Sequence, residues 1–283
     1  MATRTGRDVA HRIAAKATGR RAAKSAPLRF LGRAGFFARG LMYVVIGWIA
    51  LEMAFGKTSQ QADKSGALQT FGRSPGGEIA LWVLAIGFFG MAVWRLSEAA
   101  FGTPETEKKK AVWTRLTAFA KAVVYGALGY TVFDYAIGAG GSQSSDQQSV
   151  DLTAALMRHP GGRVLVVVIG LALVGAGLFL AFQAWRQRFK KNLMLGKIGR
   201  RTRQVVEWLG RIGGIARGAV FMTAGVFLVV AAVDAQPGQA KGIDSSLRQL
   251  AATPGGPWLL VIVALGLIMF GLYSGCEARW RRV

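Results

Sequence analysis

The tripeptide Pro-Gly-Gly occurs three times, as Pro75-Gly76-Gly77, Pro160-Gly161-Gly162 and Pro254-Gly255-Gly256. A cation precedes each, Arg39, Lys121 and Arg217, at 36, 39 and 37 residues before the proline. Between cation and proline the chain runs through an apolar stretch and then a polar loop. After the glycines a second apolar stretch follows. A unit of this length recurring at a near-constant period is the signature of a repeat architecture. Each unit holds two stretches near the ~20 residues that cross the hydrocarbon of a bilayer. The fold class that follows is all-α: an integral membrane protein of six transmembrane helices, arranged as three parallel helical hairpins. Because every hairpin starts on the same side, the repeats are related by an axis along the membrane normal, here a pseudo-threefold.

The hydrophobic residues, 52% of the chain, gather in blocks such as 79–90, 164–182 and 259–273 instead of spreading at the periodicity of a soluble domain. Spans are placed at 36–55, 78–98, 116–138, 163–184, 212–233 and 257–277. Aromatic residues stand at many of their ends, among them Trp82, Trp94, Trp113, Trp185, Trp208, Trp258 and Trp280, where an amphipathic ring gains from the headgroup region. The organisation is a basic tail over 1–30 and repeats over 31–102, 115–189 and 208–283.

A net charge of +22 would in a soluble protein suggest nucleic acid. Here 29 of the 36 Lys and Arg lie in the N-terminal stretch, the two connections between repeats and the C-terminal tail, and 7 lie in the three hairpin loops. That alternation is the positive-inside pattern. It places both termini and both connections in the cytoplasm of a multi-pass protein of the plasma or inner membrane, with anionic lipids on that side as partners and no nucleic acid expected. The tail lacks the apolar central region of a secretory signal and is read as retained, either disordered or as an amphipathic helix on anionic lipid, where each basic residue contributes about 1 kcal/mol.

The hairpin loops are nearly equal, 56–77, 139–162 and 234–256. In each, a short amphipathic segment precedes the proline: 67–71, 152–156 and 246–250. An acidic residue lies near its start, Asp63, Asp151 or Asp244, of which Asp244 is the best placed to cap the helical amides. Proline then ends the segment, and the glycines allow a sharp turn into the next span. No Lys-Ser/Thr follows the glycines as a phosphate cradle would require. One cysteine, Cys276, excludes an internal disulfide, and no Cys/His grouping has metal-ligand spacing. His159 lies near Asp151, but no positioned nucleophile accompanies them. No cofactor and no catalytic residue is expected.

Small residues recur on the first span of each unit. Gly40, Ala122 and Gly218 follow the repeated cation, and Gly47, Gly129 and Gly225 follow seven residues later on the same face. In lipid, such stripes let helix backbones approach closely, and helix packing is their expected role. The cations Arg39, Lys121 and Arg217 fall about one turn inside their spans, where a charge must snorkel or find a partner. Snorkelling to lipid phosphate is the simpler reading. The sharper one pairs them with Glu98, Gln183 and Glu277, each 23 residues beyond its own proline. Across a hairpin this would join Arg39 to Glu98 and Arg217 to Glu277, with Gln183 able only to hydrogen-bond Lys121.

The segment from Gly35 to Gly47, with Phe36-Phe37-Ala38-Arg39-Gly40, and its counterpart Gly213-Gly214-Ile215-Ala216-Arg217-Gly218 resemble a bacterial membrane-protein family, domain of unknown function twelve-oh-six, in which a pair of transmembrane helices occurs three times. The second unit is degraded to Ala118-Phe119-Ala120-Lys121-Ala122. The resemblance covers about 31–283. It implies the fold and the membrane location, and no activity. For function, the leading expectation is a non-enzymatic membrane protein that binds lipid or a protein partner. The alternative is a channel or transporter for a small solute or ion, and the third an intramembrane enzyme. A continuous polar path through the bilayer would separate the first two, and the polar residues cluster only toward its edges.

Overall fold

The structure is a computed structural model describing residues 26–101, 111–138, 144–194, 196, 199–240 and 242–281. Six helices are long and apolar enough to cross a membrane: α1 (Ala26–Ala54), α3 (Gly77–Phe101), α4 (Ala111–Ala136), α6 (Gly162–Trp185), α7 (Arg200–Val233) and α9 (Gly256–Trp280). Three shorter ones, α2 (Lys64–Arg73), α5 (Ser145–Met157) and α8 (Ile243–Ala251), lie in the hairpin loops. The chain is a multi-pass membrane protein. Helix α1 begins ten residues before the span placed at 36–55, and α7 begins twelve before the one at 212–233. Apolar length marks what crosses the hydrocarbon, whereas the backbone continues helical into the polar region, where Arg and Lys are good helix formers. Residues 26–30 therefore belong to a helix and not to the tail; the reading of 1–25 lies outside the described residues.

Each Pro-Gly-Gly turn uses its two glycines differently. Gly76, Gly161 and Gly255 have φ of 72°, 78° and 74°, the left-handed region where glycine alone carries no Cβ penalty. The next glycine opens the following span, and a Cβ on Gly77 or Gly162 would fall 1.5 or 1.8 Å from the carbonyl oxygen of Phe71 or Leu156.

The helices form an incomplete ring. The closest packing joins different repeats: α1 with α9, α3 with α4, and α6 with α7. Within repeats, α1 packs on α3 and α7 on α9. The two spans of the second repeat, α4 and α6, are not packed on one another. These two are also the least buried of the six. The core cluster runs through α1, α3 and α9, with Ile49, Leu68, Leu84, Leu260 and Leu267 fully buried.

The glycine stripes lie in the seams between repeats, in one register. A Cβ on Gly47 would meet Ile268 Cγ1 of α9 at 2.8 Å, one on Gly225 would meet Val174 Cγ2 of α6 at 2.8 Å, and one on Gly129 would meet Phe89 Cδ1 of α3 at 3.1 Å. One turn or two nearer the basic end, Gly40 and Gly218 stand against the carbonyl oxygens of Gly271 and Gly177 at 2.7 and 2.6 Å from an added Cβ. Ala122 is likewise buried.

At the Pro-Gly-Gly end the loops interlock in a cycle. Asp244 of the third loop accepts the Ala62 amide of the first at 2.7 Å, while Arg248 donates to the carbonyls of Ser59 and Gln60. Asp146 of the second loop accepts from the Ser245 amide of the third at 3.0 Å, and Lys64 of the first donates to Gln148 of the second. The capping expectation is thereby corrected. Asp63 caps its own helix, accepting from Ser65 and Gly66 amides at 2.8 and 3.1 Å, and Ser144 caps α5. Asp244 reaches across to another repeat instead, and Asp151 sits inside α5, held by Gln147. Sequence spacing identifies an acid near a helix start but not which amides face it.

Candidate functional site

The opposite, basic end gathers the charges. Arg39 projects from α1 beside Gly40, and the closeness of the α1/α9 seam brings its guanidinium to Glu277 and Ser274 of α9. Nη2 donates to Glu277 Oε2, and Nε donates to Ser274 Oγ at 3.1 Å. Arg281, one turn beyond Glu277, occupies the other carboxylate oxygen. Both partners are removed from solvent, Arg39 at 8% exposure and Glu277 at 4%. A charge pair so placed survives only because the remaining hydrogen-bonding atoms are also satisfied.

The sequence-based pairing is corrected here. Arg39 meets Glu277 of the third repeat and not Glu98 of its own. Glu98 is held on its own helix by Arg95, Nη1 to Oε2 at 2.7 Å. Arg217 does not meet Glu277. Its guanidinium lies over aromatic faces, 4.9 Å from the Phe270 ring centre, 5.3 Å from Phe221 and 5.7 Å from Tyr43. Lys121 is exposed on α4 and does not meet Gln183, because α4 and α6 are apart. For Arg39 the physical reason is the tight glycine face of α1, which turns toward α9 of the third repeat, so that the seam and not the hairpin supplies its acid.

Sequence reasoning missed Arg95, Arg281, Ser274 and Tyr125 as members of this cluster. Arg95 and Arg281 stand three or four residues from an acid already singled out, the spacing at which helical side chains meet; that signal was available. Tyr125 gave none beyond its place in the repeat. It stands on α4 and packs against Phe36 and Trp94, the rings over which Arg39, Arg281 and Arg95 lie. Rings wall the cluster: Arg39 and Arg281 lie 4.9 and 4.6 Å from the Phe36 ring, and Arg95 lies 4.4 Å from that of Trp94.

The charges do not balance. Arg39, Arg95, Lys121, Arg217 and Arg281 come together at this end, and the carboxylates in contact with them are Glu98 and Glu277. Three buried atoms have no hydrogen-bond partner among the described residues: Nε of Arg95, Nε of Arg217 and the hydroxyl of Tyr273. A buried polar group without a partner is costly, more so when charged. A surplus of planar guanidinium donors is chemically complementary to an anion rich in acceptor oxygens. At the other end a hollow of ≈ 450 Å³ is lined by Ser59, Gln60, Gln61, Gln69, Arg73 and Ser144 and offers no comparable charge. Among the described residues no group of three His, Cys, Asp or Glu could hold a metal ion.

The connection after α6 tucks under this end. Phe189 packs edge-on to Tyr273 at 5.1 Å between ring centres, Lys190 pairs with Glu207 at 2.7 Å, and the Met194 amide donates to the Trp280 carbonyl. The basic segment is thereby fixed beside the cluster.

Similarity to known proteins follows the same three units. The chain is 30% identical over 248 residues to Uncharacterized protein YxxB of Bacillus subtilis (strain 168), a match spanning 87% of this chain and 89% of that one. No solved structure matches it. The model of the family described as Domain of Unknown Function (DUF1206) matches at residues 34–102, 116–187 and 212–281, one match per helical hairpin, and the chain belongs to that family.

Proposed function

We propose that this protein is a non-enzymatic membrane protein that binds an anionic lipid, holding the headgroup phosphate in the arginine cluster at its basic end. The observation that carries the reading is the pair of buried, unpartnered guanidinium nitrogens, on Arg95 and Arg217, within a surplus of cations. A phosphate supplies several acceptor oxygens to planar guanidinium donors and offsets the excess charge. The positive-inside distribution supports a cytoplasmic position for this end, where anionic lipid is attracted. The polar groups gather at the two ends of the bundle, which favours binding over a conduction path.

The test is retention of phosphatidylglycerol by the purified protein, measured by native mass spectrometry. Arg217→Gln removes a cation that has no carboxylate to leave behind, so the fold should persist while retained lipid falls about tenfold, the worth of one charge-assisted hydrogen bond. Unchanged retention in a folded Arg217→Gln protein would sink the reading and favour the channel or transporter alternative.

A further inference from the structure

The gap between α4 and α6 has a cause in the sequence. In the first and third hairpins the two spans touch at matched places. Gly87 faces Ala38 and Gly266 faces Ala216; a Cβ added to either glycine would stand 2.7 or 2.3 Å from the alanine Cβ. Gly35 and Gly213 face the partner span so closely that an added Cβ would come within 2.4 Å of Met91 Cβ and of the Phe270 nitrogen. Counted from the repeated cation and the repeated proline, the second repeat has Thr117 in place of Gly35 and Gly213, and Ala172 in place of Gly87 and Gly266, with Ala120 opposite. Closure of α4 onto α6 at the same spacing would drive Ala172 into Ala120 and Thr117 into α6. At that spacing the two larger side chains would act as props between the spans.

The consequence is an apolar slot. Ala120, Ala172, Gly175, Ala176 and Phe179 are exposed, whereas the residues that occupy their places in the first hairpin, Ala38, Gly87, Gly90, Met91 and Trp94, are buried. Nothing lies within 4 Å of a Cβ added to Gly175. At its basic end the slot runs into the arginine cluster. Lys121 adjoins Ala120 on the α4 wall, and Tyr125, one turn further along, packs against Phe36 and Trp94, the rings over which Arg39, Arg281 and Arg95 lie.

We infer that this slot is the acyl-chain site of an anionic phospholipid whose phosphate sits in the arginine cluster. The inference rests on the proposed headgroup binding and adds where the chains lie. Apolar walls of small side chains suit a flexible hydrocarbon tail, and the surplus of cations at one end complements a phosphate attached to it. A second copy of this chain is a poorer occupant, since it would bring the same cations against themselves.

The experiment uses the full chain reconstituted in vesicles of phosphatidylglycerol and phosphatidylcholine, then extracted gently and weighed with its retained lipid. Binding of inorganic phosphate is measured in parallel. Two slot variants leave every cation in place: Thr117→Gly with Ala172→Gly removes the props so that the hairpin can close, and Gly175→Trp fills the slot without requiring closure. Both are expected to lose about tenfold or more of the retained phosphatidylglycerol while binding inorganic phosphate as the unaltered protein does. Arg217→Gln is expected to lose both. Slot variants that retain phosphatidylglycerol fully, beside an Arg217→Gln that does not, would overturn the slot while leaving the headgroup reading standing. Phosphate binding without any phosphatidylglycerol retention in the unaltered protein would assign the cluster to a soluble anion and overturn the slot. A mass of two chains that falls to one in the slot variants would make the slot a subunit interface, overturning it also.

Discussion

Gly87→Ala would impose on the first hairpin one of the two larger side chains that the second carries. The new Cβ would lie 2.7 Å from Ala38 Cβ and 3.0 Å from the Ala34 carbonyl oxygen. Non-bonded carbons are comfortable at about 3.5–4.0 Å, so α1 and α3 must part locally by about 1 Å. Overpacking of this kind costs about 1–3 kcal/mol. Alanine is the better helix former by up to about 1 kcal/mol, leaving a net loss of up to about 2 kcal/mol. Gly175→Ala makes the same chemical change in the open slot, where no neighbour is met, and should show only the propensity gain. The two variants share the propensity gain and should therefore differ by the overpacking cost alone, about 1–3 kcal/mol, with Gly87→Ala the less stable. Cys276 is half-buried on α9 and is the chain's one cysteine, so a thiol-reactive dye reports unfolding in detergent without added labels. At about 2–4 °C per kcal/mol, the separation in Tm should lie between about 2 and 12 °C. Equal Tm for the two variants would refute the reasoning, because it would mean that the first hairpin does not depend on the Gly87–Ala38 approach.

Arg39→Gln strands Glu277 with only Arg281 and should cost about 3–5 kcal/mol in detergent unfolding, whereas Arg39→Met with Glu277→Met should cost far less, since both charges leave together; similar losses for single and double variants would argue against a coupled pair. Asp244→Ala removes the acceptor of the Ala62 amide and the partner of Arg248, and should destabilise by about 1–3 kcal/mol, seen as faster hydrogen exchange at 59–62; unchanged exchange there would show that the loops do not depend on one another. Asp63→Ala should cost about 1 kcal/mol as a lost cap, measured by the same melting assay. For topology, a cysteine at Gln147 in a Cys276→Ser background should react with an impermeant reagent in intact cells, and reaction only after permeabilisation would reverse the orientation.

The repeat, the helical class and the six spans were legible because each depends on local chemistry. An apolar run of bilayer length needs no partner to be recognised, and Pro-Gly-Gly carries its turn in its own backbone preferences. The small-residue stripes were legible as packing faces for the same reason: Gly47 and Gly225 stand on one helical face whatever they touch. Asp244 shows where this ends. Its place near a helix start pointed to a cap, but the amide it satisfies belongs to Ala62, 182 positions away.

The sequence alone determined that each repeat carries a cation, a tight glycine face and, in two of the three, an acid 23 residues past its proline. Only the tertiary structure decided that Arg39 is answered by Glu277 and not by Glu98. Helices in lipid choose partners by how closely their backbones can approach, and the closest approach runs between repeats. Thr117 and Ala172 were visible as letters from the start. Their meaning depends on the spacing of the first and third hairpins, where a Cβ added to Gly35, Gly87, Gly213 or Gly266 would have no room.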